Sequence, residues 1–423
     1  MDQHYEGLSL ENVPYYQKDR FWVSPMNYLS ETYDLSQAQK KVSIHDVTLR
    51  DGEQTPHVVF KIDERIKIAQ TLSDLGVDRI EFGMPTVSKD IYDAFKEILT
   101  MNLNAKIVAF LRAHKDDLNA AIKLGVENVI IEHTVNPYLC KYVYNIDHVA
   151  TVNRLVEAFK IAEENGLKAH FMGWDASRAG LDYLKRIYSD ILDKVSVDSI
   201  IFVDTFGVMT PWAMLHTIKT LRAWFPEIKL EVHNHNGFGL GVANAIAAVM
   251  GGVSCVHTSL LGLGERDGNV PIDEIAMALE ILLKIKTNID LSQINRVSKL
   301  AQKISRFKPS GTKPVTGEYY FMIEPGVTIH AIEKAREAGL GHRAIIGAFA
   351  PEIIGKKDIE YILGKESGIA TIKIYLKRLG LSATEDEMKK ILEIVKEQSN
   401  IMKGTISEDE FEFIAKDVLK KIR

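Results

Sequence analysis

The chain has 423 residues, of which 46% are hydrophobic, and a formal net charge of −5. This length and apolar content support one large domain and one smaller domain, each with its own core. The mildly acidic balance gives no reason to expect binding to nucleic acid or to an anionic membrane surface.

Residues 1–39 are predicted to form an N-terminal arm. Residues 1–16 are polar and acidic and have no apolar h-region, so no secretory signal is expected. The arm is too aromatic for a disordered tail, and we expect it to pack on the main domain or on a neighbouring subunit. Its aromatic residues are Tyr5, Tyr15, Tyr16, Phe21, Trp22, Tyr28 and Tyr33.

Between residues 40 and 305, short β-branched runs alternate with amphipathic segments that have helical spacing, such as 63–75, 149–165 and 211–224. Eight strands, each followed by a helix, predict an α/β fold, a parallel (β/α)8 barrel. A doubly wound open sheet is the alternative. It is disfavoured because polar groups end nearly every strand instead of clustering at one switch point. The predicted strands are 42–49, 79–84, 106–111, 128–132, 169–173, 200–204, 229–233 and 255–260.

The sequence pattern changes after the predicted barrel. Residues 306–330 are predicted to be a linker, because they include the turn-rich segment 308–314. Residues 331–423 contain short helical patterns rich in Lys and Glu, which predict a small helical C-terminal accessory domain. The last of these patterns, 408–422, has apolar residues at roughly helical spacing.

The sequence also indicates the compartment. The longest apolar window, 242–263, is interrupted by Asn244, His257 and two glycines, so no membrane span is expected. Cys140 and Cys255 each lie in an apolar run, which is typical of reduced thiols in the core of a cytosolic protein. We therefore expect a cytoplasmic protein.

His233 and His235 are the most informative pair. Residues two apart on a strand point to the same side, so both imidazoles can face one cation. If the strand end that carries Asp51 opens onto the same barrel face, Asp51, His233 and His235 form a two-histidine, one-carboxylate site. Such a site takes several divalent metals, so Mg²⁺, Mn²⁺, Co²⁺ and Zn²⁺ all stay open. The alternative is that both histidines merely cap a strand.

Other polar residues stand at the predicted strand ends. Charged and imidazole groups in such a position are costly to desolvate without partners, which favours a functional site. The alternative for each is a salt bridge between strands, and this alternative is strongest for Glu81 and Glu231. The candidates are Arg50, Gln54, Glu81, Arg112, His114, Glu132, His133, Thr134, His170, Met172, Trp174, Asp204, Thr205 and Glu231.

A glycine-rich loop, residues 262–269, follows the eighth predicted strand and precedes a predicted helix. Its glycines permit close approach of the backbone to a ligand, and amides at a helix N-terminus suit a phosphate. This signal is weak by itself, because glycine-rich turns are common in barrels. Asn269 offers a carbonyl oxygen that could reach the metal.

Three segments together resemble the signatures of one family. Residues 49–54, 233–236 and 262–269 are similar to those of the metal-dependent aldol/Claisen barrel family. That family contains the 2-isopropylmalate, homocitrate, citramalate and Re-face citrate synthases, and it is related to hydroxymethylglutaryl-CoA lyase. The resemblance covers residues 40–300, and residues 308–328 also resemble the linker of the synthases.

The resemblance implies roles for these residues. Asp51, His233 and His235 would hold the cation that chelates a 2-oxo acid, Arg50 would stabilise the developing alkoxide, and Thr205 would bind the substrate carboxylate. An acetyl-CoA enolate would attack the carbonyl, and thioester hydrolysis would follow. The predicted catalytic residues are Arg50, Glu81 and His330; the substrate-binding residues are Arg50, Gln54, His114, His170 and Thr205; the residues on the CoA side are Gly262, Gly264 and Asn269.

The chain departs from the family pattern at three places. Gly237 stands where many synthases have Asp, and Trp174 stands where they commonly have a carboxylate. The linker stretch 323–328 lacks both histidines of the family, the first of which is implied to help deprotonate acetyl-CoA from the neighbouring subunit. His330 or His342 is a candidate replacement, and the alternative for His330 is a solvent-facing helix residue.

Condensation is favoured over two related reactions. A lyase would want a cysteine in the glycine-rich loop, and a biotin-linked carboxyltransferase would need a lysine near the metal; neither is present. His114 and His170 stand where homocitrate synthases carry a His and an Arg for a second carboxylate. This favours oxaloacetate or 2-oxoglutarate over the substrates of 2-isopropylmalate and citramalate synthases.

Two further expectations concern the whole protein. Because the linker histidines are missing, a catalytically altered family member with a binding role is a competing hypothesis, although the intact metal triad and Arg50 count against it. The aromatic arm and the accessory domain favour a homodimer in which one chain covers the barrel mouth of its partner.

Overall fold

The structure is a computed structural model that describes residues 4–5, 8–341 and 344–422. Eight parallel strands close into a barrel. The first strand pairs with both the second and the eighth, which confirms the predicted (β/α)8 barrel and rules out the open sheet. The strands are β1 (Ser43–Asp46), β2 (Arg79–Gly83), β3 (Lys106–Arg112), β4 (Asn128–Thr134), β5 (Lys168–Trp174), β6 (Ser199–Asp204), β7 (Lys229–Asn234) and β8 (Cys255–Thr258).

Helices alternate with these strands. The first helix buries Ile66, Ala69 and Leu72, as its helical spacing predicts, and ends before Gly76. Gly76 has a φ of +100°, and a Cβ there would lie 1.9 Å from the Asn288 carbonyl oxygen, so only glycine fits. The barrel helices are α1 (Ile62–Leu75), α2 (Lys89–Ile98), α3 (Lys115–Leu124), α4 (Pro137–Tyr142), α5 (His148–Glu164), α6 (Leu181–Leu192), α7 (Pro211–Trp224), α8 (Gly241–Gly251), α9 (Ile272–Met277) and α10 (Ile294–Ser305).

The barrel interior has two chemically different sides. Side chains from β3 to β6 form an apolar cluster, whereas β1, β2, β7 and β8 bury polar side chains. Buried polar groups are costly without partners, so the polar side must be internally paired. The apolar cluster consists of Val108, Phe110, Ile130, Met172, Ile201 and Val203. The polar side includes His45, Glu81, Glu231, His233 and His257.

Two compact units divide the chain: Ser30–Pro309 forms one, and residues up to Leu29 group with Ser310–Arg423 in the other. The second unit has a helical core around Ile329, Ile391 and Phe411, which confirms the predicted C-terminal helices. The predicted arm therefore divides between the units, and the predicted domain limits stay a prediction. The helices of the second unit are α11 (Gly326–Glu337), α12 (Ile369–Arg378), α13 (Glu385–Met402) and α14 (Glu408–Ile422).

Three two-stranded pairings also belong to the second unit. They join His4–Tyr5 with Leu8–Ser9, Tyr16–Gln17 with Phe21–Trp22, and Met322–Ile323 with Glu360–Tyr361. In the part of the chain that the structure describes, no helix has both the length and the apolar character that crossing a bilayer requires.

Candidate metal centre and active site

Two strand ends bring three possible metal ligands together at the carboxyl end of the barrel. After β1, a tight turn in which the Gly52 N–H donates to the Val47 carbonyl (3.0 Å) carries Asp51. Alternation along β7 and just beyond it turns His233 and His235 to the same side. Asp51 Oδ2 lies 3.3 Å from His233 Nε2 and 3.5 Å from His235 Nε2, and all three residues are only 2–4% exposed.

The electrostatics of this cluster suit a divalent cation. The two Nε2 atoms face each other at 3.4 Å, and both Nδ1 atoms are buried without a partner among the described residues. Burial, followed by the neighbouring His233, lowers the pKa of His235 to about 3. Burial opposes ionisation of Asp51, but Arg50 and the histidines hold its pKa below the usual range. An ionised carboxylate and a neutral imidazole are the states that bind metal, so the residues fit the predicted site.

The Arg50 guanidinium is fixed beside these ligands. Its Nε donates to Glu81, its Nη1 donates to Asp51 Oδ2 at 3.2 Å, and its central carbon lies 4.4 Å from the centre of the Phe110 ring. Burial lowers the pKa of Arg50, but the carboxylates of Glu81 and Asp51 more than offset this and raise it, so the group stays charged. The other oxygen of Glu81 lies 3.0 Å from His45 Nε2. Glu81 thus forms a buried ion pair with Arg50, and its catalytic role stays a prediction.

A buried polar chain continues from His45 toward the amino end of the barrel. The His45 ring stacks on His257 with centroids 4.1 Å apart, and His257 Nε2 lies 3.1 Å from Glu231. Glu231 pairs with Arg79, whose Nη2 also donates to Cys255 at 3.1 Å. Sequence reasoning missed His45, His257 and Arg79. The available signal was the two-residue alternation, since Arg79 stands two residues before Glu81.

The glycine-rich loop is joined to the turn after β1. The Gly264 N–H donates to Thr55 Oγ1 at 2.8 Å, and the Asn269 Nδ2 donates to the Leu263 carbonyl at 3.0 Å. The Asn269 Oδ1 is buried and has no partner among the described residues, so it is available to a ligand. The Gly262 backbone has a φ of +74°. These glycines therefore serve the fold of the loop itself, and their contact with CoA stays a prediction.

We expect Gly264→Ala to destabilise the protein by about 1–3 kcal/mol, the range for overpacking a filled site. A Cβ at this position would lie 2.2 Å from Asn269 Nδ2, so the amide must move away from its hydrogen bond. Urea unfolding of the purified variant measures the change. Gly125→Ala is an instructive comparison, because nothing lies within 4 Å of its Cβ and only the strain of its φ of +75° remains. Equal stability of Gly264→Ala and the unmodified chain would contradict this explanation.

Thr205 and Gln54 lie near this end of the barrel in different settings. The Thr205 hydroxyl is buried and accepts the Asp175 N–H at 2.8 Å, while Arg266 donates to the Thr205 carbonyl at 2.5 Å. Accepting that bond leaves the hydroxyl proton of Thr205 available to a substrate carboxylate. Gln54 is exposed in the short helix Gly52–Gln54 that follows Asp51. Both residues stay predicted substrate ligands.

The structure places His170 and His114 at different ends of their strands. His170 is the third residue of β5, and its ring contacts Arg79 (3.1 Å) and Ser199 (2.7 Å) near the amino ends of the strands. Burial lowers the pKa of His170 to about 4. His114 precedes α3, where its Nδ1 accepts the Asp116 N–H at 3.3 Å and its side chain is exposed. His170 therefore lies at the amino end of the barrel and His114 follows the carboxyl end of β3, and the role of both as substrate ligands stays a prediction.

The two candidate bases outside the barrel are His330 and His342. His330 is an exposed residue of α11 in the second unit, and its role as a base stays a prediction. His342 lies outside the described residues.

An aromatic group follows β5 and β6. Trp174 ends β5 half-buried, with its ring 6.3 Å from the Phe206 ring. The centre of the Phe206 ring in turn lies 3.9 Å from the guanidinium carbon of Arg178 and 5.1 Å from that of Arg266, an arrangement that sequence reasoning did not find.

Two imidazoles and one carboxylate at the carboxyl end of a (β/α)8 barrel define a class: TIM-barrel proteins with a candidate divalent-metal site. Residues 41–301 match the HMGL-like family, which is more than half of the chain. The chain belongs to this family, so the family resemblance of the sequence is confirmed.

Relatives and solved structures support this assignment. The chain is 36% identical to the 2-isopropylmalate synthase of Methanocaldococcus jannaschii, over 90% of this chain and 72% of that protein. It is 34% identical to the homocitrate synthase AksA of Methanothermobacter thermautotrophicus, over 92% of this chain and 96% of that protein. Its fold is similar to hydroxymethylglutaryl-CoA lyase from Pseudomonas aeruginosa, with a TM-score of 0.59, 20% identity, and coverage of 67% of this chain and 98% of that one.

Proposed function

We propose that this chain is an acyltransferase that condenses acetyl-CoA with a 2-oxo acid and then hydrolyses the thioester, using a divalent metal. The observation that carries the proposal is the convergence of Asp51, His233 and His235 beside the fixed guanidinium of Arg50. The relatives named as 2-isopropylmalate and homocitrate synthases support the same class of reaction.

The cluster assigns a task to each of its residues. A cation held by Asp51, His233 and His235 supplies Lewis-acid polarisation of a carbonyl when it is bound. Arg50 is oriented by Glu81 and donates to the oxygen that gains negative charge as the new carbon–carbon bond forms. Because Glu81 occupies one edge of the guanidinium, Arg50 keeps one orientation and needs little reorganisation at the transition state.

The 2-oxo acid is the part of the proposal that the site defines least. The preference for a dicarboxylic acid, oxaloacetate or 2-oxoglutarate, depends on two residues: His170, which lies near the amino ends of the strands, and His114, which is exposed after β3. The names of the relatives include both isopropylmalate and homocitrate synthases, so they favour neither a monocarboxylic nor a dicarboxylic 2-oxo acid. We therefore propose the reaction with a 2-oxo acid and leave the choice of acid to a substrate panel.

A thiol-release assay tests the proposal. The chain is freed of metal with a chelator, Mg²⁺, Mn²⁺, Co²⁺ or Zn²⁺ is restored, and CoA release from acetyl-CoA is measured with pyruvate, 2-oxoisovalerate, oxaloacetate and 2-oxoglutarate. We expect release with at least one acid, only after metal is restored. Release with none of them would favour a binding role for an altered family member. Release that needs no 2-oxo acid would indicate a thioesterase.

A lyase or a biotin-dependent carboxyltransferase is the alternative class. Both share this barrel fold with the chain, at 18–21% identity in the solved structures, which shows the fold alone. The glycine-rich loop, residues 262–269, has no cysteine for the lyase. Cys255 lies within β8 instead, where it contacts Arg79 at the amino end of the barrel.

A further inference from the structure

The proposed reaction needs a group that takes a proton from the methyl of acetyl-CoA, and one carboxyl in the barrel is placed for this. Glu132 is the fifth residue of β4. Ile130, two residues earlier, belongs to the apolar interior cluster, so alternation turns Glu132 to the same interior side, nearer the carboxyl end. Ile130 also pairs in register with Phe110, the ring that supports Arg50. Glu132 therefore lies one interior layer above Phe110, at the level of Arg50.

The bonding of Glu132 differs from that of the other carboxylates near Arg50. Asp51 accepts the Glu265 N–H (3.0 Å) and an Arg50 N–H, and both oxygens of Glu81 are occupied by Arg50 and His45. Among the described residues, the half-buried Glu132 carboxyl has no hydrogen bond and no ion pair. An unpartnered carboxyl that faces a proposed substrate site is free to exchange a proton with a bound substrate.

The charges that face Glu132 set its proton affinity. Burial is the largest influence and raises the pKa of Glu132 to about 7. The Arg50 guanidinium opposes this, while the carboxylates of Glu81, Asp51 and Glu265 add to it. A base whose pKa lies near neutral pH is effective under those conditions. Glu265 is a weaker candidate, because it is exposed and pairs with Arg266 at 2.7 Å.

We propose that Glu132 is the catalytic base, the acceptor of the methyl proton of acetyl-CoA. This inference rests on the proposed condensation. The methyl C–H bond breaks, its proton goes to a Glu132 oxygen, and its electron pair forms the thioester enolate. The enolate carbon then bonds to the 2-oxo carbon, and the carbonyl electron pair moves to the oxygen beside Arg50. Glu132 can return its proton to that alkoxide, which restores the carboxylate for the next turnover.

The test compares Glu132→Gln, which keeps the shape of the side chain, with Glu127→Gln as a matched control. Glu127 is exposed and precedes the same strand at its amino end. We expect CoA release by Glu132→Gln to fall by about 10²–10⁴-fold, the usual contribution of general base catalysis. Glu127→Gln keeps full activity, and Glu132→Asp keeps part of it. The dissociation constant of the 2-oxo acid, measured by calorimetry with metal present, changes less than about threefold in Glu132→Gln.

Two further readouts separate a base from a structural residue. In D₂O, exchange of the acetyl-CoA methyl protons falls with turnover in Glu132→Gln and is retained in Glu127→Gln. The activity of the unmodified chain falls as pH decreases through about 7, because a base acts only when deprotonated. The residual activity of Glu132→Gln does not show this fall toward acid pH.

The outcomes are distinguishable. An active unmodified chain with unchanged exchange and unchanged pH profile in Glu132→Gln would overturn the role of Glu132 alone. Retained exchange with a changed preference among 2-oxo acids would overturn it too, and would make Glu132 a substrate-selecting residue. No CoA release by the unmodified chain would overturn the proposed function, and the base with it.

Discussion

His235→Ala abolishes metal-dependent turnover in the proposed mechanism and leaves the barrel folded. The substitution removes one of the three proposed ligands, since the His235 Nε2 lies 3.5 Å from Asp51 Oδ2 and 3.4 Å from His233 Nε2. Lewis-acid stabilisation contributes several kcal/mol, so its loss lowers turnover by on the order of 10³-fold or more. Thiol release with restored metal and elemental analysis of the dialysed protein measure activity and metal content.

The fold of His235→Ala is checked separately. The imidazole has no hydrogen-bond partner in the described part of the barrel apart from the neighbouring metal-site groups, so its removal costs stability only through lost packing, about 1–3 kcal/mol. His216→Ala is the matched control, since His216 is exposed on α7 and lies outside the site. Circular dichroism and urea midpoints compare the three proteins. Full metal content and activity in His235→Ala would remove the metal assignment.

Arg79→Met destabilises the protein by about 3–5 kcal/mol, the cost of leaving one partner of a buried ion pair alone. Arg79 pairs with Glu231, which is 3% exposed, and after the substitution His257 (3.1 Å) and His170 (3.5 Å) are the remaining groups near the carboxylate. The double variant Arg79→Met/Glu231→Leu is more stable than the single one, because no unpaired charge remains. Urea unfolding at pH 7 measures both.

The stability that Arg79→Met loses depends on pH in a defined direction. Burial alone raises the pKa of Glu231, but Arg79 and the nearby histidines hold it well below its usual value, so the pair stabilises the fold above the unfolded pKa. Without Arg79, burial raises the folded pKa above the unfolded value. The stability lost in Arg79→Met is therefore largest at neutral pH and shrinks as acid protonates the Glu231 carboxyl.

Arg186→Met is the control with an exposed ion pair. It removes a partner 4.0 Å from Asp190 and changes stability by less than about 1 kcal/mol. An equal loss of stability in Arg79→Met and Arg186→Met would contradict the explanation by a buried ion pair.

The barrel and the convergence of Asp51, His233 and His235 could be predicted because both depend on short-range patterns. Two-residue alternation placed His233 and His235 on one side, and the rule that strand ends share one face added Asp51. The height of a residue along its strand is harder to use. The fifth strand is predicted at 169–173 and runs from Lys168 to Trp174, so His170 stands near its amino end, although it is grouped with the residues at predicted strand ends.

The buried polar chain could not be predicted for a different reason. His45, Glu81, Glu231 and His257 come from four strands, and their contacts depend on how far each strand is shifted along its neighbour. A single sequence does not encode this shift in any local pattern, because closure of the barrel sets it. The same shift places Glu132 at the level of Arg50, which its position at a strand end alone does not show.

The product of a labelling experiment tests metal-dependent condensation most directly. The chain is incubated with a 2-oxo acid and acetyl-CoA that carries ¹³C in its methyl group, with metal removed and then restored, and the products are identified by NMR and mass spectrometry. We expect the label in a hydroxy acid, bonded to the former carbonyl carbon, only after metal is restored. Label that appears only in acetate, or the same hydroxy acid formed equally without metal, would contradict metal-dependent condensation.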